Sequence, residues 1–188
     1  MIERFRQEEI MSKVFNTTAV CIPEEHYMVD IAQRLQEIKA LVDDGKYFTI
    51  NKARQYGKTT TLIELKRLLE AEYYVVLMDF QTFGSADFAN ENVFALSFCH
   101  SFLRLFKTTL NDDLKETLND LKNHVDNRYD YFTLKPLFEG LGDICQFSDK
   151  PIVLMIDEVD SASNNQVFLD FLGQLRAQYI NRFQQPAF

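Results

Sequence analysis

Tyr47, Phe48, Thr49 and Ile50 form a short apolar run that passes through Asn51–Tyr56 into Gly57, Lys58, Thr59 and Thr60. Beyond it, Leu62, Leu65, Leu68 and Leu69 recur on one face of a predicted helix. A strand, a loop and a helix in that order constrain the chain to an α/β fold in which backbone amides at the helix start converge on an anion. A bare GK[ST] arises by chance about once in ten chains of this length, so the three residues weigh little without the strand before them and the helix behind. With that context the segment reads as a phosphate-binding loop. Lys58 then reaches phosphate oxygens, the Thr59 hydroxyl faces Mg²⁺, and Gln55, Tyr56, Gly57, Lys58, Thr59 and Thr60 supply the cradle. The full pattern GxxxxGK[ST] would put a Gly where Lys52 stands. A non-Gly residue forced left-handed there costs roughly 1–2 kcal/mol, which bears on the shape of the loop and not on the chemistry of Gly57, Lys58 and Thr59.

A second motif completes the first. Pro151–Ile156 is a continuous apolar run, the pattern of a strand covered on both faces, and it ends in Asp157 and Glu158. Ligands of open α/β sheets sit at the carboxyl ends of the strands, so Asp157 is expected at the same edge as the loop, oriented toward Mg²⁺. Glu158 is the candidate to orient or deprotonate an attacking water. The bland alternative, in which Asp157 caps the next segment and Glu158 is merely solvated, is outweighed by the pairing with Gly57, Lys58 and Thr59.

With both motifs present the chain resembles the ASCE group of P-loop NTPases, and within it bacterial AAA-like ATPase domains related to the STAND ATPases. The matching residues are Tyr27–Asp30, Tyr47–Leu62, Leu77–Phe80 and the Walker B stretch Ile152–Glu158. The resemblance implies a three-layer αβα P-loop NTPase sandwich with a parallel sheet, ATP as ligand and Mg²⁺ as cofactor. It places Thr59 and Asp157 toward the metal and implies two catalytic residues, Lys58 on the phosphates and Glu158 polarising water. It also implies that the stretch from Cys21 to Asp30 frames the base, against the local reading of Asp30 as a helix cap. In such proteins a strand following the last helix inserts between the two Walker strands and brings a sensor residue; here only Gln184–Phe188 remains. The expectation is therefore a domain truncated before the sensor strand, completed by a downstream domain or a protein partner.

Composition sets the outer bounds. A chain of 188 residues with 46% hydrophobic content can build one substantial core, so residues 1–188 are read as one domain in which 1–45 is a lead-in segment and helix. A formal charge of −8 disfavours a broad nucleic-acid surface. The three cysteines, Cys21, Cys99 and Cys145, lack metal-ligand spacing and read as reduced thiols. No apolar stretch reaches membrane-spanning length and the N-terminus lacks a signal core, which makes the cytoplasm the default. Helices are predicted over Asp30–Val42, Asn92–Lys107, Leu114–Val125 and Leu134–Ile144, a strand over Tyr73–Asp79, and a long helix from Val167 to Phe183 after a turn at Ser161–Asn165.

Three functions fit: an ATPase or ATP-operated switch, a P-loop small-molecule kinase with Asp79 on the acceptor side, and a nucleotide-binding interaction module without turnover. Between the motifs there is no Arg-rich lid of the kind kinases carry, and Asp79 has the competing reading of a local hydrogen bond before Gln81 and Thr82.

Overall fold

The computed structural model describes residues 13–15, 25–27, 29–51, 57–106, 112–184 and 187–188. Lys52, Gln55 and Tyr56 of the expected loop, with Cys21 and Met28 of the lead-in, lie outside the described residues. The chain is mixed α/β: helices α1 (Ala32–Asp43), α2 (Lys58–Leu69), α3 (Glu91–Leu105), α4 (Asp112–Asn127), α5 (Leu134–Phe147), α6 (Val159–Ala162) and α7 (Gln166–Asn181) surround strands β1 (Tyr74–Asp79) and β2 (Ile152–Asp157).

The strands are parallel and in register from Tyr74 opposite Ile152 to Asp79 opposite Asp157. Parallel neighbours need a long crossover, and α3, α4 and α5 supply it. Alternation of side chains across the strands feeds two separate clusters. Val75, Val153 and Met155 pack with Ile38 of α1 and Leu65 and Leu69 of α2, while Val76, Met78, Ile152 and Leu154 pack with α3, α5 and α7. Helices thus cover both faces of the sheet, which is why both strands read as unbroken apolar runs.

The larger cluster is built from phenylalanine. Phe80, Phe94, Phe98, Phe102, Phe132, Phe168 and Phe171 are fully buried, with ring centres 4.7 Å apart between Phe98 and Phe171 and 5.3 Å between Phe94 and Phe171. Each such ring buries on the order of 150–250 Å², so they dominate the contact of α3 with α7.

Local chemistry fixes the helix starts. The Asn90 side chain accepts the Val93 amide at the head of α3. At the head of α1 the cap position expected of Asp30 is taken by Ile31, and Asp30, one residue earlier, accepts the Ala32 amide at 2.9 Å. Pro136 falls in the first turn of α5, where its missing N–H costs nothing. Asn92 of α3 reaches the carbonyls of Tyr129 and Phe132 and so pins the α4–α5 connection, whose Arg128 is left-handed at φ +48°.

Two expectations need correction. Among the described residues the sheet has only β1 and β2, and Tyr47–Ile50 forms no strand. Its apolar residues are used differently: Phe48 and Ile50 pack beside the α1–α2 cluster. Ser161–Asn165 is also not simply a turn, because Val159–Ala162 winds into the short helix α6 before Asn165 opens α7.

Candidate functional site

The site forms where α2 begins and β2 ends. Gly57 is the residue before α2 and sits in the left-handed region at φ +68°, ψ 35°, a conformation Gly adopts without steric cost. Its carbonyl accepts both the Thr61 amide at 2.9 Å and the Thr61 hydroxyl at 2.8 Å. Thr61 is 1% exposed, so this double bond locks the turn from inside the fold. Lys58, Thr59 and Thr60 follow as the first turn of α2, with amides that no earlier helical carbonyl can accept. That turn holds no acidic residue, so the positive end of the helix is left for an anion. Lys58 is half-buried, and among the described residues no carboxylate lies within ion-pair distance of it.

β2 delivers the acids. Asp157, its last residue, is 8% exposed, and a buried carboxylate needs donors. It has two. The Thr59 hydroxyl donates to Oδ2 at 2.8 Å, and the Glu158 amide donates to Oδ1 at 3.0 Å. The first of these bonds joins residues 98 apart in sequence and ties the head of α2 to the end of β2. Glu158 is half-buried and left-handed at φ +56°, ψ 37°, unusual for a residue other than Gly. Its backbone is fixed from the other side as well, since its carbonyl accepts the Ser161 amide at 3.1 Å and the Ser161 hydroxyl at 2.7 Å. The main chain therefore turns sharply after Asp157, with the Glu158 side chain placed by that turn.

Of the residues singled out in the sequence, Gly57, Lys58, Thr59 and Thr60 lie together at the head of α2, and Thr59 touches Asp157 with Glu158 next to it. Asp79 ends β1 directly beside Asp157 in the register. Its carboxylate accepts the Gln81 amide at 2.8 Å and its carbonyl accepts the Thr82 hydroxyl at 2.7 Å, which is the local bonding expected of it. Two contributors were missed by sequence reasoning. Thr61 and Ser161 act on backbone carbonyls, and only the polar character of a helix position facing the core and of a turn after an acid signalled them.

Thr59 and Asp157 present hard oxygen donors side by side, the kind that suits Mg²⁺. Among the described residues no cluster of three or more His, Cys, Asp or Glu could hold a metal unaided. A cation here would share its coordination with water and a ligand's phosphates, as Mg²⁺ commonly does. Burial pushes the Cys99 and Cys145 thiols up to about 12, so both are protonated at neutral pH and take no part.

A family model describing an AAA-like domain matches residues 18–188. No curated protein and no solved structure matches the chain. No helix among the described residues is long and apolar enough to cross a membrane.

Proposed function

The chain belongs to the AAA-like domain family, and from that premise we propose that it binds Mg²⁺-ATP at the head of α2 and hydrolyses it as an ATPase or ATP-operated switch. The finer placement among ASCE P-loop NTPases related to the STAND ATPases is part of the same reading. The observation that carries it is the 2.8 Å hydrogen bond from Thr59 to Asp157. It sets two oxygen ligands against a helix start whose free amides and Lys58 favour phosphate. The parallel pairing of β1 with β2 supports the parallel sheet of this reading.

In this reading each residue has one task. Gly57 turns the chain so that the amides of Lys58, Thr59 and Thr60 face the phosphates, and the Lys58 ammonium adds charge-assisted bonds to them. Thr59 and Asp157 hold the cation, which when bound offsets phosphate charge. Glu158 accepts a proton from, or orients, the attacking water, its carboxylate held in place by the left-handed backbone that Asp157 and Ser161 fix on both sides.

Titration calorimetry tests the binding step. Lys58→Ala should weaken Mg²⁺-ATP binding at least tenfold, which is about 1.4 kcal/mol, and equal affinity in the two proteins would overturn the site. Phosphate release tests the chemistry. Glu158→Gln should retain ATP and lose turnover, while Asp157→Ala should lose the Mg²⁺ dependence of binding; unchanged turnover in Glu158→Gln would remove Glu158 from the mechanism.

A further inference from the structure

The C-terminal end of α7 carries an arginine with no acidic partner among the described residues. The Arg182 guanidinium lies 4.0 Å from the centre of the Tyr179 ring and 4.4 Å from that of Phe183, with one N–H donated to the Tyr179 carbonyl at 2.7 Å. Among the described residues no carboxylate lies within ion-pair reach of it, although the chain has a formal charge of −8. A guanidinium carries five donors, and the rings hold its plane so that the remaining ones point along its edge. Around it Phe183 is 85% exposed and Ile180 62%, and Tyr47 adds a third ring 5.8 Å from Tyr179. Aromatic side chains around one directional cation are the composition of an interface anchor.

A complementary surface lies on other elements of the same chain. Between α4 and α5 runs a groove of about 300 Å³ with Leu121, Gly140 and Phe147 in its lining and Glu116, Asp120 and Asp143 around them. Glu116 and Asp143 are exposed and have no cation within 4.0 Å among the described residues. Arg182 does not occupy its own chain's groove, since no carboxylate is near it.

We propose that the Arg182–Phe183 end of α7 docks in the α4–α5 groove of a second copy of this chain, with the guanidinium set against Glu116 and Asp143 and the Phe183 ring against the apolar lining. Different patches meet: a reciprocal exchange closes as a twofold dimer, and a one-way contact leaves a tail and a groove for further growth. The net negative charge of both copies opposes association and the pairing charges are solvent-screened, so the association is weak and salt-sensitive. It is independent of nucleotide binding.

Sedimentation velocity of the full chain through the micromolar range, at low and high salt, tests this. The parent should gain mass with concentration and lose it with salt. Arg182→Glu, and separately Glu116→Arg with Asp143→Arg, should each lower the association constant at least tenfold. An equimolar mixture of these two proteins should associate again, because the reversed tail of one fits the reversed groove of the other, and the native tail of the second fits the native groove of the first. Phe183→Ser, at a side chain outside the core, gives an independent reading should the charge reversals impair folding. A parent that stays monomeric, an Arg182→Glu protein that associates like the parent, or a mixture of folded variants that remains monomeric would overturn the proposal.

Discussion

Glu158 holds a left-handed backbone that costs a residue with a side chain about 1–2 kcal/mol. Gly adopts that conformation freely but loses more backbone freedom on folding, an offset of roughly 0.5–1 kcal/mol. Glu158→Gly should therefore be as stable as the parent or more stable by up to about 1 kcal/mol in urea unfolding, while phosphate release is lost. A clear loss of stability would show that the carboxylate, and not the turn, is what the fold relies on. Thr59 gives the opposite case. Thr59→Val leaves the Asp157 Oδ2 without its donor in a buried position and should cost about 1–3 kcal/mol, whereas Thr59→Ser should be close to neutral. Lys58, Thr59, Asp157 and Glu158 were legible in the sequence because each is a functional group at a fixed distance from a strand or helix end. The left-handed turn at Glu158 was not, since nothing in its side chain favours that conformation and the stabilising bonds come from Asp157 and Ser161.

At the scale of elements, the same substitution should have opposite signs in two helices. A Cβ on Gly140 of α5 would stand 2.6 Å from Leu121 Cδ2 and 3.1 Å from its Cγ, so the buried Leu121 side chain of α4 would have to shift. Overpacking of this kind costs about 1–3 kcal/mol, against about 1 kcal/mol gained in helix propensity. Gly173 of α7 meets nothing within 4 Å. Chemical denaturation should show Gly140→Ala destabilised by up to about 2 kcal/mol and Gly173→Ala stabilised by about 0.4–1 kcal/mol; a stabilised Gly140→Ala would mean that α4 and α5 part freely. Both strands and the helices other than the short α6 were legible because their apolar periods match the faces they bury, as in Leu134, Leu137, Phe138, Leu141 and Ile144 of α5. The run Tyr47–Ile50 had the same apolar signal without becoming a strand, because pattern reports burial and a strand also needs a backbone partner. Another element contact titrates. Lys39 of α1 bonds Asp43 at 2.8 Å and Glu72 at 3.2 Å, and the Tyr73 hydroxyl donates to Asp43 at 2.8 Å. The Lys39 and Tyr73 bonds hold the Asp43 carboxyl below its ordinary 3.8, while the Asp43 bond raises Lys39 above 10.5. Burial and then the Asp43 bond raise Tyr73 above 10.0. A lowered carboxyl contributes stability above its unfolded value and loses it as pH falls through the folded one; a raised Lys or Tyr contributes below its unfolded value and loses it as pH rises. The stability difference between the parent and Lys39→Met should be level around neutrality and shrink below pH 3.8 and again above pH 10.5, where the two limbs begin. A difference that does not change with pH would mean that Lys39 acts only by packing.

For the molecule as a whole, the head of α2 and the end of β2 join the two core clusters, so a ligand held there should stabilise the entire fold. Thr59 opens α2, whose Leu65 and Leu69 lie in the α1–α2 cluster, and Asp157 ends β2, which feeds that cluster through Val153 and Met155 and the phenylalanine cluster through Ile152 and Leu154. A ligand bound only by the folded chain at one hundred times its dissociation constant adds about 2.7 kcal/mol. For a chain of this size each kcal/mol raises the melting temperature by about 2–4 °C, so Mg²⁺-ATP should raise it by about 5–11 °C. Lys58→Ala, if tenfold weaker, is left at ten times its own dissociation constant in the same solution, and its shift should fall to about half. Chelating Mg²⁺ should reduce the shift in the parent and leave Asp157→Ala unaffected, because the cation is held by the carboxylate that variant lacks. Thermal melts of the three proteins with and without Mg²⁺-ATP give all of these shifts on one scale. Equal shifts in the parent and Lys58→Ala would place the nucleotide elsewhere, whatever the affinity measured for either.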